Sequence, residues 1–119
     1  MEKINVLEKF SRFRDQWSPK IVGELNDGYV KLARLQGDFI WHRHENEDEL
    51  FLIVRGRMRM GLREGDVELS EGEIFIVPKG VEHKPSADEE CWVLLIEPKT
   101  TLNTGNVVNE RTVAELDRI

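Results

Sequence analysis

An antiparallel β-sandwich or barrel is the fold class this 119-residue sequence predicts, on three observations. Apolar and β-branched residues between Tyr29 and Glu97 fall in short runs rather than at helical spacing. Turn chemistry separates the runs at regular intervals: Gly37-Asp38, Gly56, Glu64-Gly65-Asp66, Glu71-Gly72-Glu73 and Pro78-Lys79-Gly80. No helical pattern interrupts them, which excludes the crossovers that a parallel sheet requires.

The elements follow in order. Val6, Leu7, Phe10 and Phe13 recur at helical spacing, so residues 4–14 read as a short amphipathic helix that Ser18-Pro19 ends. The candidate strands are Tyr29 to Leu35, Phe39 to His44, Glu49 to Arg55, Arg57 to Leu62, Asp66 to Leu69, Ile74 to Val77 and Cys91 to Glu97. After Pro98 the chain turns polar and loop-like, and Thr112 with Glu115 resembles a capping box opening a last helical turn through Ile119. One domain over residues 1–119 is expected, with a helical arm at 1–20, a β-barrel at 21–98 and a tail at 99–119.

Bulk chemistry narrows the partners. A formal net charge of −6 argues against nucleic acid and anionic membranes, whose phosphates need a positive surface. The single cysteine, Cys91, excludes an internal disulfide framework and reads as a buried core residue in a reducing compartment. The charged opening Met1-Glu2-Lys3 and the absence of any apolar run of membrane-spanning length lead us to expect a cytoplasmic protein.

His42, His44 and His83 are the three histidines of the chain. Alternation along a strand would point His42 and His44 to one face. Glu49 follows five residues after His44, at the head of the apolar run Leu50-Phe51-Leu52-Ile53-Val54. A carboxylate directed into a barrel there is costly unless paired, protonated or bound to a metal. Neutral imidazoles and a carboxylate suit a divalent ion such as Fe, Mn, Zn, Ni, Co or Cu. A lone His-x-His is an ordinary feature of a surface strand; the weight lies in its combination with Glu49 and His83.

These residues fall into two motifs. Gly37-x4-His42-x-His44-x4-Glu49-x6-Gly56 closely resembles the first motif of the cupin superfamily, and Gly72-x5-Pro78-x-Gly80-x2-His83 resembles the second. The first has one residue fewer before His42 than its commonest form, and Ala87 stands where the second often closes with asparagine, a position that is not a metal ligand. The resemblance implies an all-β fold, a cupin-type jelly-roll β-barrel, with His42, His44, Glu49 and His83 as ligands of one interior divalent metal ion.

Parity then predicts the surroundings. Ile40, Phe51, Ile53, Met58, Met60 and Leu62 should face inward and make a largely apolar pocket for a small organic molecule, with Phe39 and Trp41 pointing outward. Arg55, Arg57 and Arg59 read as a solvated stripe, Tyr29 as a packing residue, and Trp17, Trp41 and Trp92 as packing or interface residues, any one of which could form a pocket wall. The strands Leu50–Val54 and Cys91–Ile96 are apolar on both faces, which leads us to expect a homodimer. The function expected is that of a metal-dependent enzyme of oxygenase or isomerase type; the alternative is a non-catalytic module that binds or senses a small molecule with the help of the metal. No catalytic acid or base is identified beyond the ligands.

Overall fold

The structure, a computed structural model, describes residues Met1 to Ile119. It is all-β and antiparallel, with one short helix. The helix α1, Val6–Phe10, covers only the middle of the expected span. Asn5 starts it, its side chain accepting from Glu8 N–H at 3.0 Å. Ser11 stops it, its hydroxyl donating back to the Glu8 carbonyl at 2.5 Å, a local bond that competes with helix continuation. Phe13 still packs with Phe10 over Leu32, and Phe10 stacks on Trp92 with ring centres 4.8 Å apart.

Seven strands follow: β1 Lys20–Leu25, β2 Gly28–Asp38, β3 Glu49–Arg55, β4 Arg57–Leu62, β5 Gly65–Ser70, β6 Ile74–Val77 and β7 His83–Pro98. They form one sheet in the order β1-β2-β7-β3-β6, with β4 joined to β5 and to β7. The long strand β7 is the hinge of this arrangement. Its first residues pair with β4, Leu62 opposite His83, and its second half lies between β2 and β3, with Leu94 opposite both Leu32 and Leu52. The sheet therefore curls round a common interior, where Ala33, Leu35, Phe51, Ile53, Met58, Met60, Leu69, Val77, Val93 and Leu95 are packed with Cys91 and Ala87. Gly56 turns β3 into β4 at φ +87°, and a Cβ there would press on the Glu90 carbonyl at 3.1 Å.

Three expectations change. β1 is a strand, with a bulge between Ile21 and Gly23, although its residues are not among the candidate runs; a polar start at Lys20 and Gly23 in its middle hide the pattern. Phe39 to His44 is not a strand: His42 alone bridges to His83. The closing helical turn from Thr112 to Ile119 gives way to turns and an extended end that runs beside β1. There, Ile21 N–H donates to Asp117 O at 2.9 Å and Ile119 N–H donates to Ile21 O at 3.0 Å. The exposed edge of β1 offers unpaired backbone groups that outweigh one turn of helix.

Candidate metal centre

The segment His42-Arg43-His44 owes its shape to backbone partners from three directions. His42 and His83 exchange both bonds, at 3.1 and 2.9 Å. Gly80 N–H donates to His44 O at 2.7 Å. Between them Arg43 is clasped by the tail: its N–H donates to Asn106 Oδ1 at 2.8 Å, and Asn106 N–H donates to Arg43 O at 3.0 Å. Strand alternation is thus not what directs the two histidines inward; tertiary hydrogen bonds are.

All four expected residues come together. One nitrogen or oxygen from each of His42, His44, Glu49 and His83 lies within 4.8 Å of the other three. All four side chains are buried, His83 completely. Carbonyl acceptors settle two tautomers, since His42 Nδ1 donates to Ile40 O and His83 Nδ1 to Val81 O, each at 2.9 Å. Their Nε2 atoms are left as lone-pair donors. Glu49 Oε1 stands 3.2 Å from His83 Nε2 and 3.4 Å from His44 Nε2.

The electrostatics favour an ion there. Burial, with the neighbouring His83, pushes His42 down to about 4, so its imidazole is neutral at pH 7. Burial alone would raise Glu49, but the polar groups of Glu97, His44 and His83 beside its carboxyl outweigh it and hold it well below its usual range. Both ring nitrogens of His44 are buried without a hydrogen-bond partner, a costly state for a polar group unless something else is bonded to it. The two separations from Glu49 suit a shared ion, because two donors each ~2.1 Å from one metal, at angles between a right angle and the tetrahedral value, lie about 3.0–3.4 Å apart. The donor set is hard-to-borderline nitrogen and oxygen without thiolate, which fits Fe(II), Mn, Co, Ni, Cu or Zn.

His42 and Glu49 also form part of the wall of a narrow cavity of about 50 Å³ that is partly open to solvent. Ala33, Leu35, Phe51, Val93 and Leu95 make its apolar floor, and Trp17, Pro19, Phe39 and Asn103 stand round it. Phe51, Ile53, Met58 and Met60 are buried as parity predicts, and Leu62 packs half-buried against them. Ile40 is half-buried and does not line the cavity. Phe39 reverses the expectation: it is buried inside, stacked on Trp17 at 4.7 Å and edge-on to His42 at 5.3 Å. Regular strand ends at Asp38, so alternation no longer governs the next residue. Trp41 is half-buried beneath Arg63, whose guanidinium lies 3.9 Å from the ring centre.

The sequence reading missed Lys31 and Glu97. Both side chains are 2% exposed, and Lys31 Nζ donates to Glu97 Oε1 at 2.7 Å. Burial and the adjacent Glu49 charge push the Glu97 carboxyl well above its usual range, against the pull of Lys31. The two buried carboxyls are thus pushed in opposite directions, Glu49 down and Glu97 up. Parity could have found both, since Lys31 shares its face with Ala33 and Leu35, and Glu97 shares its face with Val93 and Leu95.

Residues 28–97 match the sequence model of the cupin domain. A solved cupin-2 domain containing protein from Shewanella frigidimarina is 44% identical and superposes with a TM-score of 0.80, over 81% of this chain and 94% of that one. The Bacillus subtilis protein YdbB is 26% identical over 80% of this chain and 85% of its own. A 3-hydroxyanthranilate 3,4-dioxygenase from Ruegeria pomeroyi is 40% identical over 57 residues, which are 44% of this chain and 32% of the dioxygenase.

Proposed function

The chain belongs to the cupin family, and from that premise we propose that it is a metal-dependent enzyme, of oxygenase or isomerase type, acting on a small and largely apolar molecule. His42, His44, Glu49 and His83 would hold one divalent ion. The observation that carries this reading is the shared wall: two of those four residues, His42 and Glu49, face the apolar cavity directly. A bound ion there would supply Lewis acidity, or one-electron chemistry with oxygen if it is iron. The chain's own residues do the rest. Phe39, Trp17 and Phe51 offer flat apolar surface on which a planar molecule can lie. Their crowding keeps bulk water from the ligands, which strengthens every electrostatic contact inside. The local similarity to a dioxygenase supports the oxygenase arm, over a segment that is about a third of that enzyme.

Anaerobic purification followed by elemental analysis is the first test, with an expected content of about one ion per chain. Oxygen uptake by the iron-loaded protein with small hydroxylated aromatic compounds is the second. A chain that takes up none of the six metals would overturn the proposal. Stoichiometric metal with ligand binding but no turnover would favour the second reading, a binding or sensing module, which the scarcity of proton-handling groups round the cavity supports.

We further place the protein in the cytoplasm as a homodimer. No helix is long and apolar enough to cross a membrane, and Cys91 is buried as a free thiol. The helix α1 and Phe13 cover the outer face of the sheet at Leu32 and Leu94. No element packs in this way over its continuation, where Leu50 pairs with Ile76 and Leu52 with Ile74. Ile74 and Ile76 are 58% and 55% exposed on the edge strand β6. A second copy is the occupant that two-fold pairing would provide. Sedimentation at micromolar concentration should give a dimer mass, and Ile74→Lys with Ile76→Lys should halve it; a monomer in the parent chain would overturn the assignment.

A further inference from the structure

Of the three histidines, His44 alone has a ring that the protein leaves unpinned. His42 and His83 are fixed through Nδ1 to the carbonyls of Ile40 and Val81, whereas neither ring nitrogen of His44 has a hydrogen-bond partner. Its side chain is 2% exposed, and its Nε2 looks inward to Glu49 at 3.4 Å. The same residue also lines a second opening, a polar cleft of about 200 Å³ that shares no residue with the apolar cavity.

Glu45, Asn46 and Glu47 line this cleft together with Thr100 and Asn106 of the tail. The tail is tied to the histidine segment at both residues: Thr100 Oγ1 donates to Glu47 Oε2 at 2.7 Å, and Asn106 Oδ1 accepts from Arg43 N–H at 2.8 Å. Arg43 balances the charge of Glu45. Glu47 meets only the Thr100 hydroxyl, so its negative charge stays uncompensated.

We propose that this cleft is the port through which the divalent cation reaches the centre, with His44 the ligand that receives it first; the inference rests on the metal centre proposed above. A divalent ion gives up its water only where other polar groups replace it. The apolar cavity, about 50 Å³ and walled by Trp17, Leu35 and Phe39, offers little in exchange along the way. The cleft is larger and presents the side-chain oxygens of Glu45, Asn46, Glu47 and Thr100. A recessed negative charge such as that of Glu47 also raises the local concentration of cations. Acidic residues alone would make an ordinary solvated rim. The buried, unpartnered His44, common to the cleft and the centre, is what makes them a path. An imidazole held by no carbonyl can turn to meet the ion and bring it to the pinned His42 and His83.

Stopped-flow mixing of Co(II) with the metal-free full chain tests the proposal. The visible absorption of the bound ion gives the uptake rate, and a chelator chase gives the release rate. Asn46→Trp places a large ring over the cleft from an exposed position. It should slow uptake and release by a common factor and leave the Kd as in the parent, because a port serves both directions. Glu47→Lys should slow uptake about 10-fold at low ionic strength, and the difference should close as salt is raised. Should either variant fail to fold, Glu47→Gln decides: it can still accept from Thr100, and slower uptake at low salt is expected. Uptake at the parent rate in any folded variant of the three would overturn the proposal. A parent chain that binds no Co(II) would instead bring down the metal centre, and this inference with it.

Discussion

His42 and His83 face each other across a one-residue bridge, and each donates its backbone N–H to the other's carbonyl, at 3.1 and 2.9 Å. Their rings lie 4.3 Å apart between centres. This bridge joins residues 41 positions apart in sequence and brings the two histidine-bearing motifs onto one interior. The geometry of the site is therefore held by the backbone, independent of any ion, and substitutions of the side chains should leave the barrel intact.

Asn106 tests how far the tail controls the centre. Its side chain accepts from Arg43 N–H, while its own N–H holds Arg43 O. Asn106→Ala removes only the first bond, worth about 1 kcal/mol. Calorimetry should show metal binding weakened by about fivefold, with circular dichroism unchanged. Unaltered affinity would mean that the tail merely rests on the site.

The His42 ring couples folding to pH. Its value falls from 6.5 to about 4 in the folded chain, so between those pH values the unfolded state binds more protons and stability rises with pH. The contribution is present in full above about 6.5 and is lost progressively as pH falls towards about 4; it amounts to about 3 kcal/mol. Urea unfolding of metal-free protein at pH 7 and pH 4 should show His42→Asn losing about 3 kcal/mol less than the parent. Proton competition for a metal at His42 accordingly sets in towards pH 4 rather than near the ordinary imidazole value.

Gly105 has φ +56°, and a Cβ there would collide with the Arg43 carbonyl and lie 3.2 Å from His42 Cδ2. Gly105→Ala should destabilise the chain by about 2 kcal/mol or more, through left-handed strain and displacement of the Arg43 backbone. Thermal unfolding would register the loss, and a melting temperature equal to that of the parent would contradict the contact.

Metal should also appear as stability. A ligand present at 100 times its dissociation constant and binding only the folded state adds about 2.7 kcal/mol. Zn(II) or Mn(II) at that excess should raise the melting temperature of the parent, and a chelator should reverse it. Glu49→Ala should show no such rise, because its carboxylate is one of the four donors.

Much of this was legible in the sequence. β3, β4 and β6 fall on the residues that alternation and turn chemistry mark out, and the side chains of His42, His44, Glu49 and His83 lie together in the interior. The pattern failed where backbone order came from elsewhere. Phe39 to Trp41 follows the end of β2 and obeys no strand parity, so Phe39 turned inward. The tail from Thr112 has a helix-start signature, but the free edge of β1 claims its last residues. Lys31 and Glu97 carry the face pattern of their strands, yet residue type alone assigns lysine and glutamate to solvent; only their mutual pairing makes the interior position tolerable.

The cavity wall has two origins. Phe51, Val93, Leu95 and Glu97 come from strands whose backbone bonds build the barrel, whereas Trp17, Pro19 and Asn103 come from the arm and the tail, outside residues 28–97. The residues that could hold an ion are thereby separated from those that shape the mouth of the cavity. Redesign of Trp17 or Asn103 should change the shape of the cavity without breaking a ladder bond or touching His42, His44, Glu49 or His83, so the fit of a small molecule can be altered from the two ends of the chain while the histidine cluster stays as it is.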